Sequence, residues 1–285
     1  MHFLRAVFLC CVLLFGGSVA ASDLGIAPVY QQTPVWCWAA VGEMVFEHYG
    51  VANINPYGNF QCGIIALIHP VCNQNCGNCI VPAGSLSTMN NMLTGYPRFA
   101  SKATDTSTRI TTRTRGNRLS LEDVQAEIDA GRPIVAGISP SGYRGNAVSE
   151  HVALIVGYED SDLIVNDPFP FSTNAFTGDP YEAAGGEKID RGQYRVPYRK
   201  FVSQLQWKET IYGIRCSGSD CTGSDDVSDD DEEYEAPRPT AQLGHSCATP
   251  ALTCGPFYNQ PALPLGSACW CGTPYGPSYG RVVKP

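Results

Sequence analysis

Cysteine constrains this chain more than any other residue. Two of its 13 cysteines, Cys10 and Cys11, fall within the first twenty residues, which read as an export signal. Arg5 supplies the positive start, Ala6 to Phe15 is an apolar run, and Ser18-Val19-Ala20 offers the small residues needed for cleavage at residue 20–21. The run is only ten residues long, too short to span a bilayer, and no later stretch is long enough either. Residues 1–21 are therefore expected to be a signal peptide, and the mature protein is expected to be secreted or periplasmic with no membrane span. Eleven cysteines would then meet an oxidising compartment: Cys37, Cys62, Cys72, Cys76, Cys79, Cys216, Cys221, Cys247, Cys254, Cys269 and Cys271. Thiols in such a compartment pair, and an odd set leaves one over.

Charge divides the rest of the chain. The net charge is −8, yet the nine acids between Asp220 and Glu235 exceed it alone, so the remainder is close to neutral. This balance argues against a nucleic-acid partner. Residues 22–215 read as one mixed α and β domain. Residues 216–241, rich in Ser, Gly, Asp and Glu, cannot bury enough apolar surface to order themselves and read as an acidic disordered linker. Residues 242–285 hold four cysteines among Gly, Pro and aromatics, the composition of a small disulfide-stapled module.

Within the large domain, Cys37 to Tyr49 has helical periodicity and Gly50 stands where a helix stops. Residues 62–79 read as a cysteine-dense loop and Ser85 to Leu93 as a short helix. Arg109 to Arg115 alternates like a strand whose arginines face solvent. Ser120 opens a capping box and a helix to Ala130, and Gly131-Arg132-Pro133 ends it. Ile134–Ile138, His151–Tyr158 and Asp162–Val165 read as strands, the last two joined by a turn at Glu159–Ser161, with further strands over Gln193–Val196 and Thr210–Ile214.

Cys37 is the candidate for the unpaired thiol. It opens a helix, where partial positive charge and free N–H groups favour a thiolate. Gln31, with Gln32 beside it, stands six residues upstream, so that a side-chain amide can fold back and donate to an oxyanion together with the Cys37 N–H. A thiolate nucleophile needs a proton carrier. Of five histidines, His2 leaves with the signal, and His69 and His245 lie in cysteine-rich segments. His48 lies about 16 Å from Cys37 along the same helix, out of reach. His151 remains, at the start of a strand. The hairpin that follows it returns the chain at Asn166-Asp167-Pro168. Successive strand residues face opposite sides, so one of Asn166 and Asp167 faces His151; Asp167 is chosen, because a carboxylate both orients an imidazole and stabilises its cation.

Gln31 to Ala40 (QQTPVWCWAA), His151 to Tyr158 (HVALIVGY) and Val165 to Pro168 (VNDP) together resemble the papain-like cysteine peptidases. The likeness is greatest to bacterial branches, the leader-processing peptidases of peptide exporters and the effector proteases of plant-associated bacteria. Leu121 to Ile138 and Tyr198 to Ile214 share it, so that it covers residues 26–214. It implies an α+β, two-lobed fold: a helical lobe carrying Cys37 and an antiparallel β lobe carrying His151 and Asp167, with the site between them. It also implies catalytic roles for Cys37, His151, Asp167 and, as oxyanion donor, Gln31. The substrate expected is a protein or peptide; no metal or organic cofactor is expected, and the protein is expected to be a monomer. The same chemistry serves an acyl or amide transferase or a cell-wall amidase, and a non-catalytic surface-binding protein can keep the scaffold. Three features depart from the family pattern. Few mature residues precede Gln31, so an inhibitory pro-segment is not expected, and neither is an exporter domain. The insertion carrying Cys62, Cys72, Cys76 and Cys79 is additional. Its spacing suits zinc, but in an exported chain two disulfides are expected, with a third joining Cys216 to Cys221 and two more in the distal module. Attachment to a cell surface is the role suggested for that module.

Overall fold

The structure is a computed structural model. It describes residues 21–68, 72, 76, 79, 81, 85–140, 151–169, 171, 178–219 and 221–222, and, further on, 243–244, 246–248, 253–254, 263–264, 268–273 and 276–284. Residues 1–20 of the expected signal peptide and most of the expected acidic linker lie outside the described residues, as do His69 and His245, whereas Ala21, the last residue expected in the signal, belongs to a strand. The chain forms two units, Met1–Asp225 and Asp226–Pro285.

The first unit opens with β1 (Ala21–Asp23), followed by α1 (Cys37–His48), α2 (Phe60–Ile68), α3 (Leu86–Thr104) and β2 (Arg109–Arg115). Then come α4 (Leu121–Asp129), β3 (Ile134–Ile138), β4 (His151–Glu159), β5 (Asp162–Asn166) and α5 (Pro180–Ala183). It closes with β6 (Glu187–Asp190), β7 (Gln193–Pro197), α6 (Tyr198–Gln204) and β8 (Glu209–Ser217). The strands make one eight-stranded sheet in the order β2-β8-β3-β4-β5-β7-β6, with β1 added beside β4. Every pairing is antiparallel.

Both faces of the sheet are covered, and strand alternation sorts the residues between two cores. Val135, Leu154, Val156 and Ile211 meet Trp38, Val41, Met44 and Val45 of α1, Ile64 and Ile65 of α2, and Met89, Met92 and Tyr96 of α3. Ile134, Ala136, Ile138, Ala153, Ile155 and Val165 meet Val124 and Ile128 of α4, Tyr181 of α5 and Phe201 of α6. This double burial explains why β3 is apolar at every position (IVAGI) and buried throughout. The α+β architecture, a helical layer packed on an antiparallel sheet, is the one the resemblance implied.

Two elements differ from the sequence reading. The helix expected to end at Leu93 runs to Thr104, straight through Pro97. Proline removes one N–H and disfavours the turn before it, but Met89, Met92, Leu93, Tyr96 and Ala100 lie on one buried stripe, and packing overrides the local preference. The segment expected to be loop from Cys62 instead begins in α2, which buries Ile64 and Ile65 completely. Gly42 of α1 allows α1 and α3 to approach: a Cβ there would lie 2.7 Å from Met92 Cε.

The first unit also runs past residue 215. Cys216 and Ser217 belong to β8, Cys216 is bridged to Cys221, and the Thr222 N–H donates to Tyr49 O at 3.2 Å. In the second unit, β9 (Leu243–Gly244), β10 (Ser246–Ala248), β11 (Thr253–Cys254), β12 (Leu263–Pro264), β13 (Ala268–Thr273) and β14 (Gly276–Val283) are described. They form a four-stranded sheet, β11-β10-β14-β13, and a two-stranded one, β12-β9, with Cys247 opposite Cys254 in the backbone register.

Candidate active site

Cys37 is the first residue of α1. The N-cap residue, Trp36, offers no side-chain acceptor, so no capping side chain competes for the first-turn N–H groups. Trp36 and Trp38 are fully buried on either side of it. Their indoles donate to backbone carbonyls of the cysteine-rich segment, Trp36 Nε1 to Cys79 O at 3.2 Å and Trp38 Nε1 to Val81 O at 3.1 Å. That segment is pinned by the Cys62–Cys76 and Cys72–Cys79 bridges. With Cys216–Cys221, these leave Cys37 as the free cysteine among the residues whose pairing is described. Four sulfurs bonded in pairs hold no zinc, and the described residues contain no cluster of His, Cys, Asp and Glu able to bind a metal.

His151 opens β4, whose residues pack against α1. Its Nε2 donates to Asp167 Oδ1 at 2.7 Å. The ring also interacts with Cys37, which helps to keep it protonated, and Nδ1 is the nitrogen left to face the sulfur. The Val152 backbone adds a second influence that favours the Cys37 thiolate. Phe169 and Phe171 stand edge-on to the imidazole at 6.4 and 6.1 Å between centroids and shield it from water.

Asp167 faces His151 because of an irregularity in the hairpin. Across β4 and β5, Glu159 pairs with Asp162, Tyr158 with Leu163 and Gly157 with Ile164; then Ile155 pairs with Val165 and Leu154 with Asn166. Val156 is an extra residue on one strand, a β-bulge. Without it, Asp167 would come level with Leu154, whose side chain enters the core beneath α1. With it, the ladder extends to set Asp167 level with Ala153, on the face that His151 shares. Asn166 faces the other way, donating to Ile26 O at 2.7 Å and accepting from Gln193 Nε2 at 2.9 Å.

The Asp167 carboxylate is fully buried and well supplied with donors. Oδ1 also accepts from the Phe169 N–H at 2.8 Å, and Oδ2 accepts from the Tyr181 hydroxyl at 2.7 Å. The Asp167 N–H donates to the carbonyl of Gly192 at 2.8 Å. Gly192 has φ +78°, a conformation that favours glycine, and a Cβ there would lie 3.1 Å from Asp167 O.

Electrostatics couples the three side chains. Burial pushes the Cys37 thiol up, but the hydrogen bond and positive charge of His151, helped by the Val152 backbone, outweigh it and hold the thiol below its ordinary value. Burial pushes His151 down, but the charge and hydrogen bond of Asp167, with those of Cys37, outweigh it and raise the imidazole to about 10. A thiolate beside an imidazolium is the form these shifts favour.

Gln31 lies on the turn that leads into α1. Its N–H donates to Pro168 O at 3.0 Å, which ties this turn to the residue after Asp167. Its Nε2 donates to Thr33 O at 2.8 Å, the carbonyl that also accepts from the Trp36 N–H, and a second amide hydrogen remains on the same nitrogen. Gln32, the other amide there, accepts at Oε1 from Asn59 Nδ2 at 2.7 Å. Cys37, His151 and Asp167 are thus brought together, while Gln31 lies in the segment that leads into α1 and is hydrogen-bonded to Pro168 and Thr33. Sequence reasoning missed Val152, Phe169, Phe171 and Tyr181. None has a local signature, because each acts through where the sheet and α5 put it.

The model of the Peptidase_C39 like family matches residues 24–206. No curated protein matches the chain. Among solved structures, the peptidase domain of Streptococcus mutans ComA is similar at 16% identity, with 66% of this chain and 98% of that one covered and a TM-score of 0.32. The peptidase domain of Streptococcus ComA, a bifunctional ABC transporter involved in quorum sensing, gives 18% identity, 66% and 97% covered, and 0.36. A C39-like peptidase from Bacillus anthracis gives 13% identity, 70% and 100% covered, and 0.39. With the family model matching most of the chain, this protein belongs to the Peptidase_C39 like family of papain-like cysteine peptidases.

Proposed function

We propose that this chain is an exported cysteine endopeptidase in which Cys37, His151, Asp167 and Gln31 do the work. The observation that carries the reading is the 2.7 Å hydrogen bond from His151 to the buried Asp167 carboxylate, on an imidazole that in turn interacts with the free Cys37 thiol. The Cys37 thiolate attacks a peptide carbonyl, forming a C–S bond and pushing the carbonyl electron pair onto oxygen. The Cys37 N–H and the free amide hydrogen of Gln31 hold that oxyanion. His151 gives its proton to the departing amine as the C–N bond breaks. Water then attacks the thioacyl-enzyme while His151 takes one of its protons. The C–S bond breaks, and the thiolate–imidazolium pair is restored. The sum is peptide plus water giving acid plus amine, with no redox change. Asp167 keeps Nδ1 aimed at the sulfur and stabilises the ring's charge. Export is supported by the start of the sequence and by the three bridges of the first unit. Among the described residues, no helix is long and apolar enough to cross a membrane.

The test is labelling by an epoxide peptide analogue. Wild type should be modified on Cys37; Cys37→Ala should not, and His151→Ala should label far more slowly. Undiminished labelling of His151→Ala would remove His151 from the mechanism. Mass spectrometry of casein and of peptidoglycan after incubation with wild type then separates peptidase from amidase. New casein ends are expected, whereas amidation or acyl exchange products, or cuts confined to peptidoglycan, would replace this reading with a transferase or an amidase.

A further inference from the structure

We propose that Gln61 is a positioning residue for the oxyanion-binding arm, acting through Gln31; this rests on the role given to Gln31 above. Gln61 lies in α2, outside the Cys-His-Asp constellation, and is 1% exposed. A buried primary amide must have its hydrogen-bonding capacity met, and this one spends it on the backbone either side of Gln31. Its Oε1 accepts from the Gln32 N–H at 3.0 Å, and its Nε2 donates to Tyr30 O at 2.8 Å. The second Nε2 hydrogen goes to Glu43 Oε2 at 2.9 Å, on the helix that begins with Cys37. With the Gln31 N–H on Pro168 O, residues 30–32 are held at three points. The start of α2 adds a fourth, since Asn59 Nδ2 donates to Gln32 Oε1 at 2.7 Å. The arm that aims the Gln31 amide is thereby fastened both to the nucleophile's helix and to α2. The neighbouring residue in α2, Cys62, is itself bridged to Cys76. The cysteine-rich insertion thus has a chemical purpose: it anchors the helix that sets the oxyanion arm. Oxyanion stabilisation tolerates little misplacement, and a shift of about 1 Å costs on the order of 100-fold in rate.

The experiment uses the full chain and two reactions of Cys37. Turnover of a fluorogenic peptide, copied from the bond that wild type cuts fastest in casein, needs the oxyanion arm. Alkylation of Cys37 by iodoacetamide displaces iodide at a tetrahedral carbon and makes no oxyanion. Gln61→Met should lower kcat by about 10- to 100-fold with KM nearly unchanged and alkylation near the wild-type rate. In a Gln31→Ala background, Gln61→Met should add nothing further. Losses that simply multiply in the double variant, or an alkylation rate that falls with kcat, would overturn the proposal and leave Gln61 a packing residue. A Gln31→Ala variant with full kcat would instead sink the role of Gln31 itself. If Gln61→Met does not fold, Gln61→Glu runs the same cycle. It keeps the acceptor for Gln32 but sets a carboxylate against Glu43, and adding Glu43→Gln should restore part of the lost kcat; no recovery would count against the clamp.

Discussion

Tyr181 donates its hydroxyl to Oδ2 of Asp167 at 2.7 Å, on the far side of the carboxylate from His151. The phenol is fully buried and stacked on Tyr194 at 4.2 Å between ring centroids. Burial, then the neighbouring Asp167 charge, raises its pKa far above the ordinary value, so it stays a donor at any working pH. Tyr181→Phe keeps the stack and leaves a buried carboxylate oxygen without a partner. A hydrogen bond to a charged group is worth about 1.5–3 kcal/mol, so kcat/KM should fall by about tenfold or more. The alkaline limb of its pH profile should also move up, because a carboxylate relieved of one donor draws the imidazolium proton more strongly. Tyr194→Phe removes a hydroxyl from the other ring of the stack and should leave that profile in place; equal effects of the two variants would reduce Tyr181 to packing.

The pH profile itself follows from the coupled pair. Activity requires the thiolate and the imidazolium together, which titrate as a unit. The acid limb is protonation of Cys37 and lies below the ordinary thiol value, because His151 lowers that thiol despite its burial. The alkaline limb is loss of the His151 proton and lies near 10, because Asp167 and Cys37 outweigh burial there. Asp167→Asn removes the chief raising influence, so the alkaline limb should fall toward the ordinary imidazole value of about 6.5, with kcat reduced by about 10²–10⁴-fold. The measurement is kcat/KM across the range from acid to strongly alkaline buffer. An alkaline limb unmoved by Asp167→Asn would mean that the carboxylate does not hold the proton.

The bridges of the insertion should be needed for both stability and turnover. The Cys62–Cys76 bridge spans 14 residues, a loop whose closure is worth about 3 kcal/mol in the chain-entropy account. The Cys72–Cys79 bridge holds the carbonyl that receives the Trp36 indole, next to the nucleophile. Replacing Cys62 and Cys76 together by Ser should lower Tm clearly. Replacing Cys72 and Cys79 should lower turnover and slow Cys37 alkylation, since it loosens the start of α1. Prolonged exposure to a thiol reductant should have the same effect on wild type, although such agents are usually added to revive thiol peptidases. Unchanged thermal denaturation and turnover in both double variants would make the insertion a passive loop.

Much of this site was legible in the sequence, and the reasons are local. Cys37 stood out through an odd cysteine count and a helix start, both countable along the chain, and His151 through elimination among five histidines. The β3, β4 and β5 strands were legible because a sheet covered on both faces needs continuous apolar runs. The choice between Asn166 and Asp167 was not settled by strand alternation, since the Val156 bulge resets the alternation and is visible only in the paired ladder. Pro97 was a misleading local signal, overruled by the buried stripe of α3. Tyr181 and Gln61 had no sequence signal at all, because their partners lie 14 and roughly 30 residues away and are chosen by packing.

Asn166 supplies the contrasting case. It neighbours Asp167 in sequence yet is turned away from His151, holding Ile26 O at 2.7 Å and accepting from Gln193 at 2.9 Å. Asn166→Ala would leave the Ile26 carbonyl and the Gln193 amide unsatisfied and a small void in a fully buried site. Such a loss costs about 1–3 kcal/mol, which lowers Tm by roughly 2–4 °C per kcal/mol in a domain of this size. The pH limbs of the surviving activity should stay where wild type has them, because neither Cys37 nor His151 loses a partner. Asp167→Asn should do the opposite, moving the alkaline limb while the amide still fits the same space. Thermal denaturation and pH profiles of the two variants, measured side by side, therefore assign a role to each residue. If Asn166→Ala shifts the limbs while Asp167→Asn leaves them alone, the bulge at Val156 does not select the residue that faces the imidazole.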